Sequence, residues 1–525
     1  MALLSLVQAR VAFISILSVI VILAAINVFR PLNDLVLNYD EVDYMNATKP
    51  QFSEIYLGKS TLNFSEFLRL GYKKIKGGDS FPLSVQETKD GFLLRHFHGV
   101  LPVYFIKLFQ KGEEDAIANQ KAAWKAKLSL TVIFVISFLC LPLYYSNSSQ
   151  SFLASFAVAA LFLTTPIVLE PFYGLNFHTF LALAVIPFSI VFNMVNSNPD
   201  TRNSVLLLVI LGLMVNIIVT ASLIICGVIL VLFMGGKFKK VITGSSLLAF
   251  AATIFLTYPG QLLSFDFVKA HLMHAYKILV YKKEYTSVSV GSVFEDIQTL
   301  LPFILVLCAI FVYRHFFLGV RTSFKNDALL YIGVLFLFLN SPFLLNNRYF
   351  LPGITLLAVW AIKEAGLMFD GVKFNNIQVF RVFLLSLMVI VIFNFSVVRK
   401  NAVSQYLEES KYASLFRADI VDLKNSINSA SNSGLIVSDI AHILKFYMES
   451  YEFVLGQIAN SSILVRVDRE NLPIDVFKKD HQISMFMFRK INFWRDINNY
   501  PILKKCNDLD STEHIIIRIN LCMPS

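Results

Sequence analysis

Residues Asn38-Tyr39-Asp40-Glu41-Val42-Asp43-Tyr44 set three carboxylates within four positions. Carboxylates this close can take a proton from a hydroxyl, or hold a divalent cation through Asp40 and Asp43. The cluster follows the apolar run 11–29. A charge in hydrocarbon costs about 2.5–3.5 kcal/mol even on the lenient insertion scales. These residues therefore belong in water at a membrane edge or in a polar cavity. In a helix starting near Tyr39, Asp40 shares a face with Asp43 and Tyr44. The same residues also make an ordinary acidic first turn, which the helix dipole favours.

The rest of the chain must hold this cluster at a membrane. Of 525 residues, 56% are hydrophobic and only 16% charged, against roughly 25% charged in soluble domains. Mean hydropathy is +0.63, and the 49 phenylalanines suit lipid-facing helices. The net charge of +10 resides largely in short loops between apolar runs, where it orients a membrane protein. Nucleic acid is not an expected partner. Apolar runs at 11–29, 124–145, 151–169, 177–195, 203–218, 219–234, 241–258, 297–313, 328–341, 351–368 and 379–397 predict about eleven transmembrane helices. The expected fold is thus a polytopic α-helical membrane protein, residues 1–398, with a large first outer loop at 30–123. With the N-terminus inside, three basic loops become cytoplasmic: Lys237/Lys239/Lys240, Arg314/Arg321/Lys325 and Lys363/Lys373/Arg381. The acidic cluster and the C-terminal region then lie outside.

The run 91–110 carries Arg95, His96, His98 and Lys107, which predicts a helix lying in the interface rather than a span. Between the seventh and eighth spans, His271, His274 and Lys277 fall within about 120° of a helix circumference, with Lys282 and Lys283 following. These basic groups either snorkel from an interfacial helix or cradle a lipid phosphate. From residue 399 the composition becomes that of a soluble, extracytoplasmic α/β domain, 399–525. Runs 435–439, 463–467, 483–488 and 514–519 read as its strands. Cys506 and Cys522 fall there and can pair outside the cytoplasm, whereas Cys140, Cys226 and Cys308 fill apolar spans. No Gly-rich phosphate loop and no CxxC is present.

Four motifs occur in order on the predicted outer face. They are Asp40-Glu41 in the first loop, His96-Phe97-His98 before a helix with Pro102 and Tyr104, Leu169-Glu170-Pro171-Phe172 after the third span, and Arg348-Tyr349-Phe350-Leu351-Pro352 before the tenth. Together they make residues 1–400 resemble the type C glycosyltransferases of membranes, which use a polyprenyl-phosphate sugar as donor. The chain is similar above all to the protein O-mannosyltransferases and the bacterial lipid A aminoarabinose transferases. It departs from them in reading His98-Gly99-Val100 where His-Pro-Pro is usual, and in carrying Glu170 where Asp is usual.

The resemblance implies an integral membrane enzyme of the cell envelope, in a bacterial inner membrane, with its active site on the periplasmic face. It implies that Asp40 is a general base toward the acceptor hydroxyl and that Glu41 orients acceptor or sugar. Arg348, Lys277 and Lys282 or Lys283 would hold the lipid phosphate, with Tyr349 as a hydrogen-bond donor. Asp43, His96, His98, Tyr104 and Glu170 complete the donor-binding set. A single displacement would invert the anomeric centre. No cofactor is expected beyond a possible divalent cation at Asp40 and Asp43. Plainer roles stand beside these: Glu170 as a helix-turn cap, the histidines as interface anchors, Arg348 as a flanking charge. Competing functions are a lipid-linked glycan polymerase or ligase, and a lipid-linked sugar flippase or transporter. A carrier would show internal repeats, and none is seen.

Overall fold

The computed structural model describes Glu41, Tyr44, Met45, Thr48, 52–57, Tyr72, 99–110, 116–165, Val168, 170–218, 220–259, 290–320, 326–340, 347–369, Val389, Ile420, 435–438, Ala441, Leu444, 453–459, 462–467, 470–473, 483–489 and 516–520. The chain divides into two compact units. One comprises Met1–Arg30, Ala47–Glu113 and Ala122–Ala402; the other comprises Pro31–Asn46, Glu114–Lys121 and Val403–Ser525.

Among its described residues the first unit is helical. Its elements are α1 (Phe52–Leu57), α2 (Leu101–Lys107), α3 (Ala116–Tyr145, whose first turn counts with the other unit), α4 (Ser149–Thr164), α5 (Phe177–Ser197) and α6 (Thr201–Val215). Then come α7 (Ala221–Met234), α8 (Phe238–Val241), α9 (Gly244–Thr257), α10 (Val290–Val312), α11 (Ala328–Asn340) and α12 (Leu351–Phe369). The breaks follow local chemistry. Ser148, Asn176 and Asp200 accept bonds from the first-turn amides of α4, α5 and α6, and Thr243 with Ser246 forms a capping box on α9. Nine of the expected spans hold a helix among the described residues; those at 11–29 and, Val389 apart, at 379–397 lie outside them. Among the described residues three helices are long and apolar enough to cross a membrane, within α3, α5 and α12. Helix α2 has seven residues, far below the length of a span.

Helix α12 is the axis of the unit, with sixteen buried residues. Small residues bring it close to its neighbours. Ser151 and Ser155 of α4 donate to the carbonyls of Gly366 and Ile362 at 2.7 and 2.9 Å. A Cβ at Gly353 would come within 2.8 Å of Phe336 and Leu337 on α11. This is how helices associate where lipid removes the hydrophobic drive between them.

The contacts also fix two ends. At one end the C-termini of α6 and α9 meet, through Asn216 to Thr257 and to the Ile254 carbonyl at 3.4 Å. There α2 docks by its backbone: the amides of Gly99 and Leu101 donate to the carbonyls of Ile217 and Asn216 at 2.9 and 3.1 Å. The same end holds the N-termini of α5 and α12. At the other end Tyr145 accepts from Asn193 at 2.8 Å, and Lys237 caps the end of α5 at Asn196. There too Arg314, carried inward by a π turn, pairs with Asp327 and, at 2.9 Å, with Glu364.

Gly99 stands where proline is usual in the resembled family, and the docking explains it. A Cβ at this position would overlap the Asn216 carbonyl group. Gly99→Ala is therefore expected to lower stability by about 1–3 kcal/mol, the range for overpacking a close contact, read as a lower Tm of the purified protein in detergent. An unchanged Tm would show that α2 shifts at no cost.

The second unit holds a six-stranded sheet in the order β4-β3-β2-β1-β5-β6. Its strands are β1 (Leu435–Ser438), β2 (Phe453–Ala459), β3 (Ser462–Val467), β4 (Glu470–Pro473), β5 (Ile483–Arg489) and β6 (Ile516–Asn520). Central β1 runs parallel to β2 and β5, and the remaining pairs are antiparallel. Strands β2 and β4 are additions to the four expected from sequence. Two-residue links, 460–461 and 468–469, fold β2-β3-β4 into hairpins.

Candidate functional site

The helical unit gathers its polar chemistry at the end where α5 and α12 begin. The Leu-Glu-Pro-Phe motif forms a 3-10 turn, Glu170–Tyr173, whose Pro171 carbonyl accepts from the Asn176 side chain at 2.6 Å. Asn176 also caps α5, so the turn is fixed to the helix start. Phe172 is buried against Phe134 of α3, with ring centroids 4.8 Å apart. Two residues into α5, His178 is buried, and its ring meets that of Tyr349 edge-on at 4.4 Å. Tyr349 closes a second 3-10 turn, Asn347–Tyr349, which leads into α12. The Arg348 guanidinium lies 5.4 Å from the Tyr349 ring centroid. A guanidinium, a phenol and an imidazole thus come together at the starts of α5 and α12. That set can hold a phosphate: one fixed positive fork with neutral donors around it.

Helix α2 joins this end through Phe105, whose ring packs edge-on against Phe180 of α5 at 5.3 Å. Tyr104 stacks on Phe52 at 4.7 Å and donates to the Thr257 carbonyl at 3.0 Å. Burial, with Tyr258 and Tyr56 nearby, pushes its hydroxyl well above the ordinary phenol range, so it stays a neutral donor. Its proton is committed to the α9 end, which makes Tyr104 an anchor of α2. Lys107 of the same helix donates to the Thr48 carbonyl at 2.6 Å.

Of the site residues expected from sequence, Arg348 and Tyr349 share one turn, and the turn opened by Glu170 is tied through Asn176 to the start of α5, whose His178 meets Tyr349. Glu41 is 2% exposed, out of bulk water, and shares a buried helical spacing with Tyr44, Met45 and Thr48. Asp40, Asp43, His96, His98, Lys277, Lys282 and Lys283 lie outside the described residues. Among the described residues no group of three or more His, Cys, Asp or Glu is placed to hold a metal. His178 was not anticipated. It sits inside an apolar run, and its sequence signal is a histidine seven residues past the Glu-Pro motif.

This bundle, with the Arg-Tyr turn before its axial helix and a mixed sheet unit, has a type C glycosyltransferase-like fold of the multi-pass membrane kind. The structure of ArnT from Cupriavidus metallidurans bound to undecaprenyl phosphate superposes on it with a TM-score of 0.52 at 12% identity, covering 96% of this chain and 97% of that one. The apo structure of that ArnT gives a TM-score of 0.50 at 13% identity, over 92% and 94%. ArnT is a lipid A aminoarabinose transferase, one of the two families the sequence is similar to. No family model matches the chain, and no curated protein does.

Proposed function

We propose that this protein is an integral membrane glycosyltransferase that moves a sugar from a polyprenyl-phosphate donor to an acceptor hydroxyl. The observation that carries the reading is the Arg348–Tyr349–His178 group at one end of a fold that, in ArnT, has been seen with undecaprenyl phosphate. A lipid phosphate leaves readily when a cation and neutral donors hold its oxygens, because they stabilise the charge that develops there. Arg348 supplies the charge and Tyr349 a hydroxyl. Lys277 and Lys282 or Lys283 are proposed as further cations, and His96, His98 and the Glu170 turn as further donor contacts.

Asp40 is the proposed general base, with Glu41 orienting acceptor or sugar and Asp43 a donor contact; a divalent cation on Asp40 and Asp43 is the alternative use of those carboxylates. One displacement inverts the anomeric centre. The basic residues Lys237, Lys239, Lys240 and Lys363 lie toward the bundle end opposite Arg348. By the positive-inside rule that end faces the cytoplasm, which gives the Arg348 end to the extracytoplasmic side, in a bacterial inner membrane.

The test is binding of undecaprenyl phosphate by the purified protein. Arg348→Ala is expected to raise Kd about tenfold or more, since hydrogen bonds to charged groups are worth roughly 1.5–3 kcal/mol, with Tm little changed. A parental Kd would make Arg348 a flanking charge. Envelope glycans compared by mass between cells with and without the protein would identify sugar and acceptor.

A further inference from the structure

One atom of this group has no hydrogen bond within the described residues. Nε2 of His178 is buried and has no hydrogen-bond partner among the described residues. The whole residue is 4% exposed. Buried polar nitrogens are nearly always bonded, and an unbonded one weakens the fold, so an apolar ring would suit a merely packed position better. The ring rests against Tyr349, which adjoins Arg348. We infer that His178 is a hydrogen-bond donor to the donor lipid's phosphate, strengthening as the sugar departs; this rests on the donor reading above.

The chemistry gives the contact its timing. The bond between the anomeric carbon and the phosphate oxygen breaks, and its electron pair stays on that oxygen. The acceptor oxygen bonds to the anomeric carbon, and the acceptor proton passes to the base. The phosphate goes from a diester with one negative charge to a monoester with two. An N–H fixed away from water gains most from that second charge, so its effect is larger toward the transition state and product than in the ground state. The Arg348 guanidinium, by contrast, meets a charge in both states.

Two probes separate these roles: undecaprenyl phosphate at pH 8, a doubly charged monoester, and its methyl ester, a singly charged diester. His178→Phe keeps the aromatic contact with Tyr349 and removes the nitrogen; His178→Leu is run beside it in case the larger ring does not fit. Both are expected to keep or raise Tm. Their Kd for the monoester should rise about tenfold or more, and for the diester by about threefold or less. His178→Gln, which retains an N–H, should stay within about threefold on both probes. Arg348→Ala should weaken both. Folded Phe and Leu variants with parental affinities, or with equal losses on the two probes, would overturn the role of His178 and leave the donor reading standing. A parent protein that binds neither probe would overturn both.

Discussion

Sugar transfer by the Asp40→Asn protein is expected to run about 10²–10⁴-fold slower than by the parent, the usual worth of a general base. Asparagine keeps the size and most of the hydrogen bonding of aspartate but cannot take the acceptor's proton. Affinity for undecaprenyl phosphate should be nearly parental, because the proposed phosphate contacts belong to Arg348 and its neighbours. A first-turn acidic residue with no chemical role behaves otherwise: its loss costs about 0.3–1 kcal/mol of stability and leaves the rate alone. The measurement is transfer from a polyprenyl-phosphate sugar by both proteins, with and without EDTA. Inhibition of the parent by EDTA would move Asp40 and Asp43 to the role of cation ligands. Near-parental transfer by the variant would remove Asp40 as base.

The second large effect is on folding. Arg314, Asp327 and Glu364 are 6%, 0% and 3% exposed at their side chains, and Trp360 Nε1 donates to the same Asp327 oxygen at 3.3 Å. Lys363 lies 3.6 Å from the other Glu364 oxygen. Arg314→Met would leave two carboxylates facing each other with one partly exposed lysine between them and the solvent. Removing one partner of a buried ion pair typically costs about 3–5 kcal/mol. The expected result is poor recovery of folded protein from membranes and a sharply lower Tm. Replacing all three residues together, as Arg314→Met, Asp327→Leu and Glu364→Met, should recover much of that loss, because the three most deeply buried charges then go together and only the partly exposed Lys363 loses a partner. A single variant as stable as the parent would mean that water reaches the cluster.

How legible these features were depends on what each residue reports. Apolar runs such as 177–195 and 351–368 announce helices by composition alone, and both are found within a residue or two of their predicted limits. Strand β1 was legible from Leu435-Ile436-Val437, apolar throughout and β-branched at Ile436 and Val437. Strand β2 was not, because Gly456 and Gln457 interrupt its pattern and its neighbours are set by pairing with β1 and β3, which sequence does not display. Arg314 reads in sequence as a loop charge that orients the chain. Its burial depends on a π turn and on carboxylates 13 and 50 positions later, Asp327 and Glu364. Arg348 and Tyr349 stood out in the sequence because a short motif carried them. His178 was hidden because its meaning lies in Tyr349, far along the chain. Gly99 read as a departure from a pattern, and only the Asn216 carbonyl gives it a reason.

Helix α12 runs unbroken for 19 residues, with the Arg348–Tyr349 turn at its start and Glu364 near its end. At 1.5 Å per residue that is about 28 Å, close to the roughly 30 Å hydrocarbon thickness of a bilayer. The helix is therefore a gauge. Its serine-and-glycine seam with α4 and its close contact with α11 leave little freedom to slide, so the Arg348 turn and Glu364, about 20 Å along the helix from its start, keep a fixed separation. In a thicker bilayer the protein must draw the surrounding lipid inward rather than lengthen, and in a thinner one it must tilt as a block. If Arg348 holds the donor's phosphate as proposed, either adjustment changes the depth at which a long-chain lipid presents its head to it. On that reading the acyl-chain length of the host membrane becomes a variable of substrate capture, set by a helix that would meet the lipid head only through the turn preceding it.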